Sequence, residues 1–263
     1  MQKIIEKYNI KAKKSLGQNF LLDEYILNSI CEITNITGEN IIEIGPGFGA
    51  LTGKILERKP QNLTLIELDN FMIEIINDRI KNDDLDVGQT NLEIINKDVL
   101  KFETILKNYK LIANIPYYIT SPILYKFLYE VQNKPNEMII LMQKEVGERI
   151  ISKKSSVLSL FIQKKCLASE KVFVPKNCFF PQPKIDSTVL FLQIFDKYDF
   201  LDDNLFLTFI KSSFSNPRKK MINNLSNAGY NKEKMFKKLL ELGFNENTRA
   251  EELNIDNYIY LIS

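Results

Sequence analysis

The sequence predicts an α/β fold: a parallel, doubly wound sheet followed by a small all-helical domain at the C-terminal end. β-rich runs alternate with amphipathic helical segments from about residue 38 to about residue 142, which is typical of a parallel sheet with crossover helices. A glycine-rich turn follows the first of these runs. From about residue 202 the strand pattern stops, and helical segments with polar breaks follow.

The elements are predicted from apolar periodicity in chain order. Strands are expected at 40–44, 63–68, 91–98, 109–115 and 137–143, with helices at 50–58, 70–81 and 121–131. Ser121 followed by Pro122 is a good helix-start signal for the last of these helices. The run 186–194 predicts a last strand or pair of strands, so we place domain boundaries at 1–199 and 200–263.

Composition excludes several classes of protein. The chain has 263 residues, 44% hydrophobic and 26% charged, which is ordinary for a soluble globular protein. It contains no long apolar run and no apolar signal-peptide core, so we expect a cytoplasmic protein without membrane association. Histidine is absent and the three cysteines form no CxxC pair. We therefore expect no Ser-His or Cys-His catalysis, no disulfide framework and no metal site.

The net charge is +2, but the basic residues are clustered. Clusters occur at 11–14 (KAKK), 164–165, 218–220 (RKK) and 232–238. Taken singly, each cluster is expected to be a solvated face. Several clusters around one site would form a track for the phosphates of a nucleic acid.

The turn EIGPGFG joins the first strand to the first helix. Gly45, Gly47 and Gly49 allow the backbone to turn tightly and approach a ligand without a Cβ in the way. Ligands of open α/β sheets bind beyond the carboxyl ends of the strands. The position therefore predicts a nucleoside-containing ligand and favours this over a purely structural turn.

Two further strand ends carry acids. Glu67 ends the second strand, where a carboxylate can accept hydrogen bonds from both ribose hydroxyls, and it is preferred to its neighbour Asp69. Asp98 ends the third strand and could accept a hydrogen bond from an adenine amino group, or simply cap the following helical turn. A dinucleotide and S-adenosylmethionine both fit these three features.

The fourth strand ends in NIPYY. The side-chain carbonyl of Asn114 and the backbone carbonyl of Ile115 could hold the two N–H groups of an exocyclic amine and aim its lone pair at an electrophile. Pro116 stiffens the loop, and Tyr117 offers a flat face on which a base could stack. The general motif is Asn/Asp-Pro-Pro-Tyr/Phe, with Ile115 here in place of the first proline. A plain turn with core tyrosines is the alternative.

With these pieces in order, the chain resembles the ribosomal RNA adenine dimethyltransferases, in particular those acting on 16S rRNA. The resemblance covers nearly the whole chain. It rests on the motifs SLGQNFL (15–21), EIGPGFGALT (43–52), LIELD (65–69), NIPYYITSPIL (114–124), LMQKEVGERI (141–150), FFPQPKIDSTV (179–189), NPRKKMINNL (216–225) and RAEEL (249–253).

The resemblance implies a Rossmann-like, S-adenosylmethionine-dependent methyltransferase sheet in residues 1–199 and a small helical RNA-binding domain in residues 200–263. Cofactor contacts are then expected as follows. Asn19 and Leu21 cover the methionine part beside Gly45, Glu67 holds the ribose, Asp98 holds the adenine amino group, and Asn114 lies at the methyl-transfer point.

The resemblance also implies an acceptor pocket. Asn114, Tyr117 and Phe179 are expected to act on the flipped adenine, with the two rings stacking on its faces. Phe180 competes with Phe179 for this role, and packing of Phe179 in the core is a further alternative. Tyr118 stands where the family often has asparagine, which puts one polar contact in doubt.

The implied reaction is methyl transfer to N6 of two adjacent adenosines in the 3′-terminal hairpin loop of 16S rRNA, during ribosome biogenesis. The implied partner is a pre-30S particle, and we expect a monomer. The rival closest in kind is a 23S rRNA adenine-N6 methyltransferase of the macrolide-resistance type. A non-catalytic assembly factor and a dehydrogenase are further rivals, and NIPYY disfavours both.

Overall fold

The computed structural model describes the backbone of all 263 residues and every side chain except that of Tyr117. The chain divides into two compact units. The first comprises Met1–Gly147 and Ser169–Ile194, and the second comprises Glu148–Ala168 and Phe195–Ser263. Among the described residues, no helix is long and apolar enough to span a bilayer.

The strands are β1 Phe20–Leu21, β2 Asn40–Ile44, β3 Asn62–Glu67, β4 Asn91–Asn96, β5 Tyr109–Asn114, β6 Glu137–Gln143, β7 Cys166–Val174, β8 Phe179–Phe180 and β9 Ser187–Ile194. The helices are α1 Gln2–Lys7, α2 Glu24–Cys31, α3 Ala50–Leu56, α4 Asn70–Lys81, α5 Thr120–Tyr125, α6 Lys144–Ile151, α7 Val157–Gln163, α8 Asp203–Ser213, α9 Met221–Asn227, α10 Lys232–Glu241 and α11 Ile255–Ile262.

The predicted strands and helices of the sheet region are present, with shifts of a few residues at their ends. The predicted helix 121–131 is in fact α5 followed by a π-helical turn, Lys126–Glu130. β7 was not predicted. It lies at the edge of the sheet, and its sequence CLASEKVFV carries exposed charged residues in place of a continuous apolar run.

The main sheet has seven strands in the order β4-β3-β2-β5-β6-β9-β7. β4, β3, β2, β5 and β6 are parallel, and β9 pairs antiparallel with β6. The chain runs outward from β2 to β4 and then returns to place β5 on the other side of β2. The strand order therefore reverses between β2 and β5, the point where open α/β sheets bind ligands.

The central strands are buried on both faces, as parallel strands covered by helices are. β2, β3 and β5 are almost entirely buried, whereas the edge strand β4 is partly exposed. The apolar faces of α2, α3 and α4 pack into the same core as these strands. This core fixes the carboxyl ends of β2, β3 and β5 relative to one another.

The second unit contains α8–α11 and also Glu148–Ala168, a segment that lies within the predicted domain 1–199. The reason is visible at the end of α7. Lys164 and Lys165 are buried there and form ion pairs with Asp203 at the start of α8, and Lys165 also pairs with Asp199 at 2.6 Å. These contacts join the segment to the C-terminal helices.

Candidate functional site

A cavity of about 1040 Å³, part of it open to solvent, lies at the carboxyl ends of β2, β3 and β5 in the first unit. Its walls are the N-terminal segment Leu16–Leu21, the glycine turn, the end of β3, the residues after β4, and the loop after β5. Small ligands and cofactors bind preferentially in concave sites at the switch points of α/β sheets. The cavity therefore lies at the reversal point of the sheet, where a nucleoside-containing ligand was predicted.

The glycine turn is in tight contact with two other walls. Gly45 and Gly47 have φ values of +67° and +55°, in the left-handed region. A Cβ on Gly45 would lie 3.3 Å from the backbone oxygen of Asn114, and one on Gly47 would lie 3.0 Å from the ring of Phe20. Glycine is thus required by both conformation and space, and it brings the end of β5 next to the turn.

Glu67 is buried at the end of β3 and faces the cavity. One carboxylate oxygen, Oε2, accepts the N–H of Gly47 at 3.1 Å; Oε1 accepts the N–H groups of Leu68 and Asp69 at 2.8 and 2.9 Å. Burial raises the pKa of Glu67, and these backbone donors oppose that rise. A carboxylate has about four acceptor positions, so capacity remains for a ligand hydroxyl.

Asp69, the competing acid, is not part of the cavity wall. Its Oδ1 accepts the N–H of Phe71 at 3.1 Å and so caps α4. The same carboxylate accepts hydrogen bonds from Lys13 Nζ at 2.7 Å and Gln18 Nε2 at 2.9 Å. Asp69 is therefore occupied by protein groups, and Glu67 is the acid that a ligand in the cavity would meet.

Asp98 is on the cavity wall and also caps a short helical turn. Its Oδ1 accepts the N–H of Leu100 at 2.9 Å, at the start of the turn Val99–Lys101. The two interpretations of Asp98 are therefore compatible. The cap orients the carboxylate while it remains partly exposed at the cavity.

Asn19 and Leu21 also contribute to the wall. Leu21 is fully buried in β1, and Asn19 is half-buried with its Nδ2 donating to the backbone oxygen of Gly17 at 3.1 Å. The structure thus brings together all of the predicted cofactor residues in one cavity: Asn19, Leu21, Gly45, Glu67, Asp98 and Asn114.

Asn114 ends β5 and is half-buried, next to the buried Ile115. Both residues and Pro116 line the cavity. The predicted stacking role of Tyr117 concerns a side chain outside the described part of the structure. Tyr118 is 64% exposed and its ring lies against Gly17, since a Cβ on Gly17 would be 3.0 Å from a ring carbon.

Phe179, the residue predicted to stack on the adenine, lies in the hydrophobic core. It is 5% exposed, belongs to the hydrophobic core, and is not among the residues that line the cavity. It pairs with Leu21 across the β1–β8 ladder, whereas Phe180 pairs with Phe20 and is half-buried. This placement matches the core-packing alternative, and the stacking role of Phe179 stays a prediction.

Two further residues at this site were not predicted. Glu43 is buried in β2 and lines the cavity; burial raises its pKa to about 8, and Thr52 Oγ1 donates to it at 2.8 Å. Arg79 of α4 is buried and donates to the backbone oxygens of Phe48 and Gly49 at 2.6 and 3.2 Å. The sequence could have indicated Glu43, because an acid within a predicted buried strand is unusual. It gives no such indication for Arg79, which lies in a predicted amphipathic helix.

Comparisons with known proteins show the family to which the chain belongs. The ribosomal RNA adenine dimethylase family model matches residues 9–263. The ribosomal RNA small subunit methyltransferase A of Clostridioides difficile is 38% identical over 279 residues, covering 99% of this chain and 93% of that protein. The comparisons with solved structures bear on the fold alone.

A dimethyladenosine transferase from Plasmodium falciparum has a TM-score of 0.79 at 22% identity, covering 92% of this chain and 95% of that one. The 23S rRNA methyltransferase ErmE has a TM-score of 0.75 at 19% identity, covering 92% and 98%. The predicted methyltransferase-type fold and the predicted class of activity are confirmed. The chain belongs to the ribosomal RNA adenine dimethylase family.

Proposed function

We propose that this protein transfers methyl groups from S-adenosylmethionine to N6 of two adjacent adenosines in the 3′-terminal hairpin loop of 16S rRNA. One observation carries the proposal. Asn114 stands at the end of β5 so close to the glycine turn that a Cβ on Gly45 would lie 3.3 Å from its backbone oxygen. A group oriented by Asn114 therefore meets a ligand held by that turn.

The residues on the walls of the cavity support the proposed position of the cofactor. Glu67 would accept from the ribose hydroxyls, because its carboxylate is fixed by Gly47, Leu68 and Asp69 and retains acceptor capacity. Asp98 would accept from the adenine amino group. Asn19 and Leu21 would cover the methionine part. When bound, S-adenosylmethionine supplies an electrophilic methyl group on a sulfonium.

The acceptor chemistry is assigned to the loop after β5. The N6 lone pair of adenine is delocalised into the ring, so the amine is a poor nucleophile. The side-chain carbonyl of Asn114 and the backbone carbonyl of Ile115 would accept the two N–H groups and turn the lone pair toward the methyl carbon. The amine would then take the methyl group as its bond to the sulfonium sulfur breaks, and the surplus proton on N6 would leave to solvent.

A second candidate function is methylation of 23S rRNA, the activity of the structural neighbour ErmE. The fold does not separate the two, because both neighbours cover more than nine-tenths of the chain. The small-subunit relatives favour 16S rRNA, since they are 36–38% identical over nearly the whole chain. The proposed partner is accordingly a pre-30S particle. We propose that the protein acts on it in the cytoplasm, as a monomer.

The second unit supplies the proposed RNA-binding surface, within the predicted domain 200–263. Arg218 and Lys219 are exposed, whereas Lys220 pairs with Glu246 at 3.2 Å. Replacing Arg218 and Lys219 by alanine should weaken binding to the particle. The slope of log affinity against log salt should fall by roughly 0.7–0.9 for each lost phosphate contact. An unchanged slope would make this cluster an ordinary solvated face.

The direct test is methyl transfer from labelled S-adenosylmethionine to unmodified 30S particles, with 50S particles in parallel. We expect label in 16S rRNA at two adjacent adenosines, up to two methyl groups on each. The Asn114→Ala variant, expected to be slower by roughly 100- to 1,000-fold, is assayed beside the wild type. Label confined to 23S rRNA would establish the rival function, and no transfer to either RNA would refute both.

A further inference from the structure

The N-terminal segment Leu16–Leu21 forms one wall of the cavity but has little main-chain anchoring. The backbone bonds of Leu16 and Gly17 are local turn bonds, to Lys13 and Lys14 at 3.0 Å each. Pairing with another strand begins only at Phe20, in the short β1–β8 ladder. Side-chain contacts must therefore hold the first part of this wall in place.

The carboxylate of Asp69 provides such a contact, and it is itself 1% exposed. Lys13 Nζ donates to one of its oxygens at 2.7 Å, and Gln18 Nε2 donates to the other at 2.9 Å. The ring closes within the segment, because the backbone N–H of Lys13 donates to Gln18 Oε1 at 2.8 Å. Both ends of the helical turn Lys14–Leu16 are thus tied to one buried acid.

The same acid is tied to the proposed ribose site. The backbone N–H of Asp69 donates to Glu67 Oε1, and Glu67 Oε2 accepts the N–H of Gly47. The N-terminal segment, the end of β3 and the glycine turn are therefore linked by one chain of hydrogen bonds. Asn19, the predicted contact of the methionine part, directly follows the tied residue Gln18.

We propose that Asp69 is a positioning residue for the cofactor, which acts through Lys13 and Gln18 to hold the segment Leu16–Leu21 closed over the cavity. The inference rests on the proposed function, in that S-adenosylmethionine is the ligand. Lys13 is accordingly assigned to this tether and not to the RNA track of the KAKK cluster. A segment held in its bound conformation binds ligand without a further ordering cost.

Asp69 also caps α4, so the test replaces its two partners, Lys13 and Gln18, and leaves Asp69 in place. Lys13 is exposed and Gln18 half-buried, and neither belongs to the cap of α4. In the double variant Lys13→Ala/Gln18→Ala, the capping hydrogen bond from the N–H of Phe71 to Asp69 stays intact. The variant should keep the wild-type melting temperature while its Kd for S-adenosylhomocysteine rises roughly three- to tenfold, as expected for the loss of two modest hydrogen bonds.

Two matched variants distinguish a tether from other effects. Lys14→Ala removes the same charge from the adjacent, exposed position and should leave the Kd unchanged. Asp69→Asn keeps a helix-capping side chain but loses the charge, and it should weaken binding by itself. Adding Lys13→Ala to Asp69→Asn should then cost little more, because the two residues act through one contact.

Isothermal titration measures the Kd, and hydrogen exchange of peptides covering residues 14–21 measures the closure in the free protein. Faster exchange in Lys13→Ala/Gln18→Ala, together with the raised Kd, supports the proposal. It is overturned if that variant binds and exchanges like the wild type, or if Lys14→Ala weakens binding equally. Failure of the wild type to bind S-adenosylhomocysteine would instead refute the proposed function, and the exchange data would still decide whether Asp69 holds the segment.

Discussion

The two sides of the cavity are built differently. On the glycine-turn side, Glu67 is 8% exposed and takes three backbone N–H groups, and Arg79 holds the carbonyls of the turn from behind. On the other side, Asn114 is half-buried at the end of its strand and Tyr118 is 64% exposed. One side is fixed by buried hydrogen bonds before any ligand arrives, and the other is open.

This difference indicates that one side of the cavity determines ligand affinity and the other determines the rate of the chemical step. A wall fixed by buried hydrogen bonds is preorganised, so its mutation should change ligand affinity. A polar group on an open wall is free to bond a group that arrives from solution, so its mutation should change the rate of the chemical step. The comparison therefore predicts that binding and catalysis can be separated by residue.

The largest expected effect concerns Phe179. Its role determines whether the open side of the cavity includes strand β8. Because Phe179 is buried in the core, Phe179→Ala should lower the free energy of unfolding by roughly 3–5 kcal/mol, the usual cost of removing a buried phenylalanine ring. Thermal or urea unfolding measures this.

The half-buried neighbour offers the control for Phe179. Phe180→Ala should cost clearly less stability. If Phe179→Ala abolished methylation while unfolding like the wild type, the stacking role predicted from the sequence would be restored and the open side would reach β8.

The second effect concerns Asn114. Asn114→Ala should reduce the methylation rate by the loss of about 2.7–4 kcal/mol of transition-state stabilisation, by analogy with the removal of one oxyanion-hole donor. The Kd for S-adenosylhomocysteine should change little. Single-turnover assays on 30S particles and isothermal titration measure the two quantities, and a variant that methylates at the wild-type rate would remove Asn114 from the mechanism.

The third effect concerns Glu67. Glu67→Gln replaces an acceptor by an amide, whose NH₂ group would face backbone N–H donors or a ribose hydroxyl. The Kd for the cofactor should rise by the equivalent of about 1–3 kcal/mol, the usual cost of an unsatisfied buried polar group. Glu74→Gln, at an exposed position of α4, is the matched control for loss of a nearby acid, and an unchanged Kd in Glu67→Gln would exclude Glu67 as the ribose acid.

The smallest effect concerns Glu43 and pH. Burial raises its folded-state pKa from 4.5 to about 8, so between these values the folded protein binds more protons than the unfolded chain. Glu43 therefore lowers stability as pH rises through that window. Glu43→Gln should flatten the fall in melting temperature there, with little difference from the wild type below pH 4.5. Parallel slopes for both proteins would contradict this.

The sequence predicts best what depends on local periodicity. The strands, α4 and the glycine turn follow from apolar spacing and backbone freedom, and the strand ends then bring Gly45, Glu67, Asp98 and Asn114 to one edge. Adjacent residues of a strand face opposite sides, so the choice between Phe179 and Phe180 depends on a register that apolar spacing does not fix.

The contacts of Arg79 and Asp69 could not be predicted from apolar spacing either, because they join residues that are distant in the sequence. Arg79 reaches the carbonyls of Phe48 and Gly49 from another helix, and Asp69 binds Lys13 and Gln18 from far along the chain. Neither residue type nor spacing marks these contacts, because they exist only once α4 and the N-terminal segment are packed. The β7 edge strand was missed because an exposed edge carries no continuous apolar run.

The separation of binding from catalysis is tested most directly by one experiment, which compares the cofactor dependence of the methylation rate in two variants. The single-turnover methylation rate on 30S particles is followed at rising S-adenosylmethionine for Asn114→Ala and Glu67→Gln, beside the wild type. We predict that Glu67→Gln approaches the wild-type rate once cofactor saturates, whereas Asn114→Ala stays slow at every concentration. Recovery of Asn114→Ala by cofactor, or a Glu67→Gln variant that remains slow at saturation, would contradict the division between the two sides of the cavity.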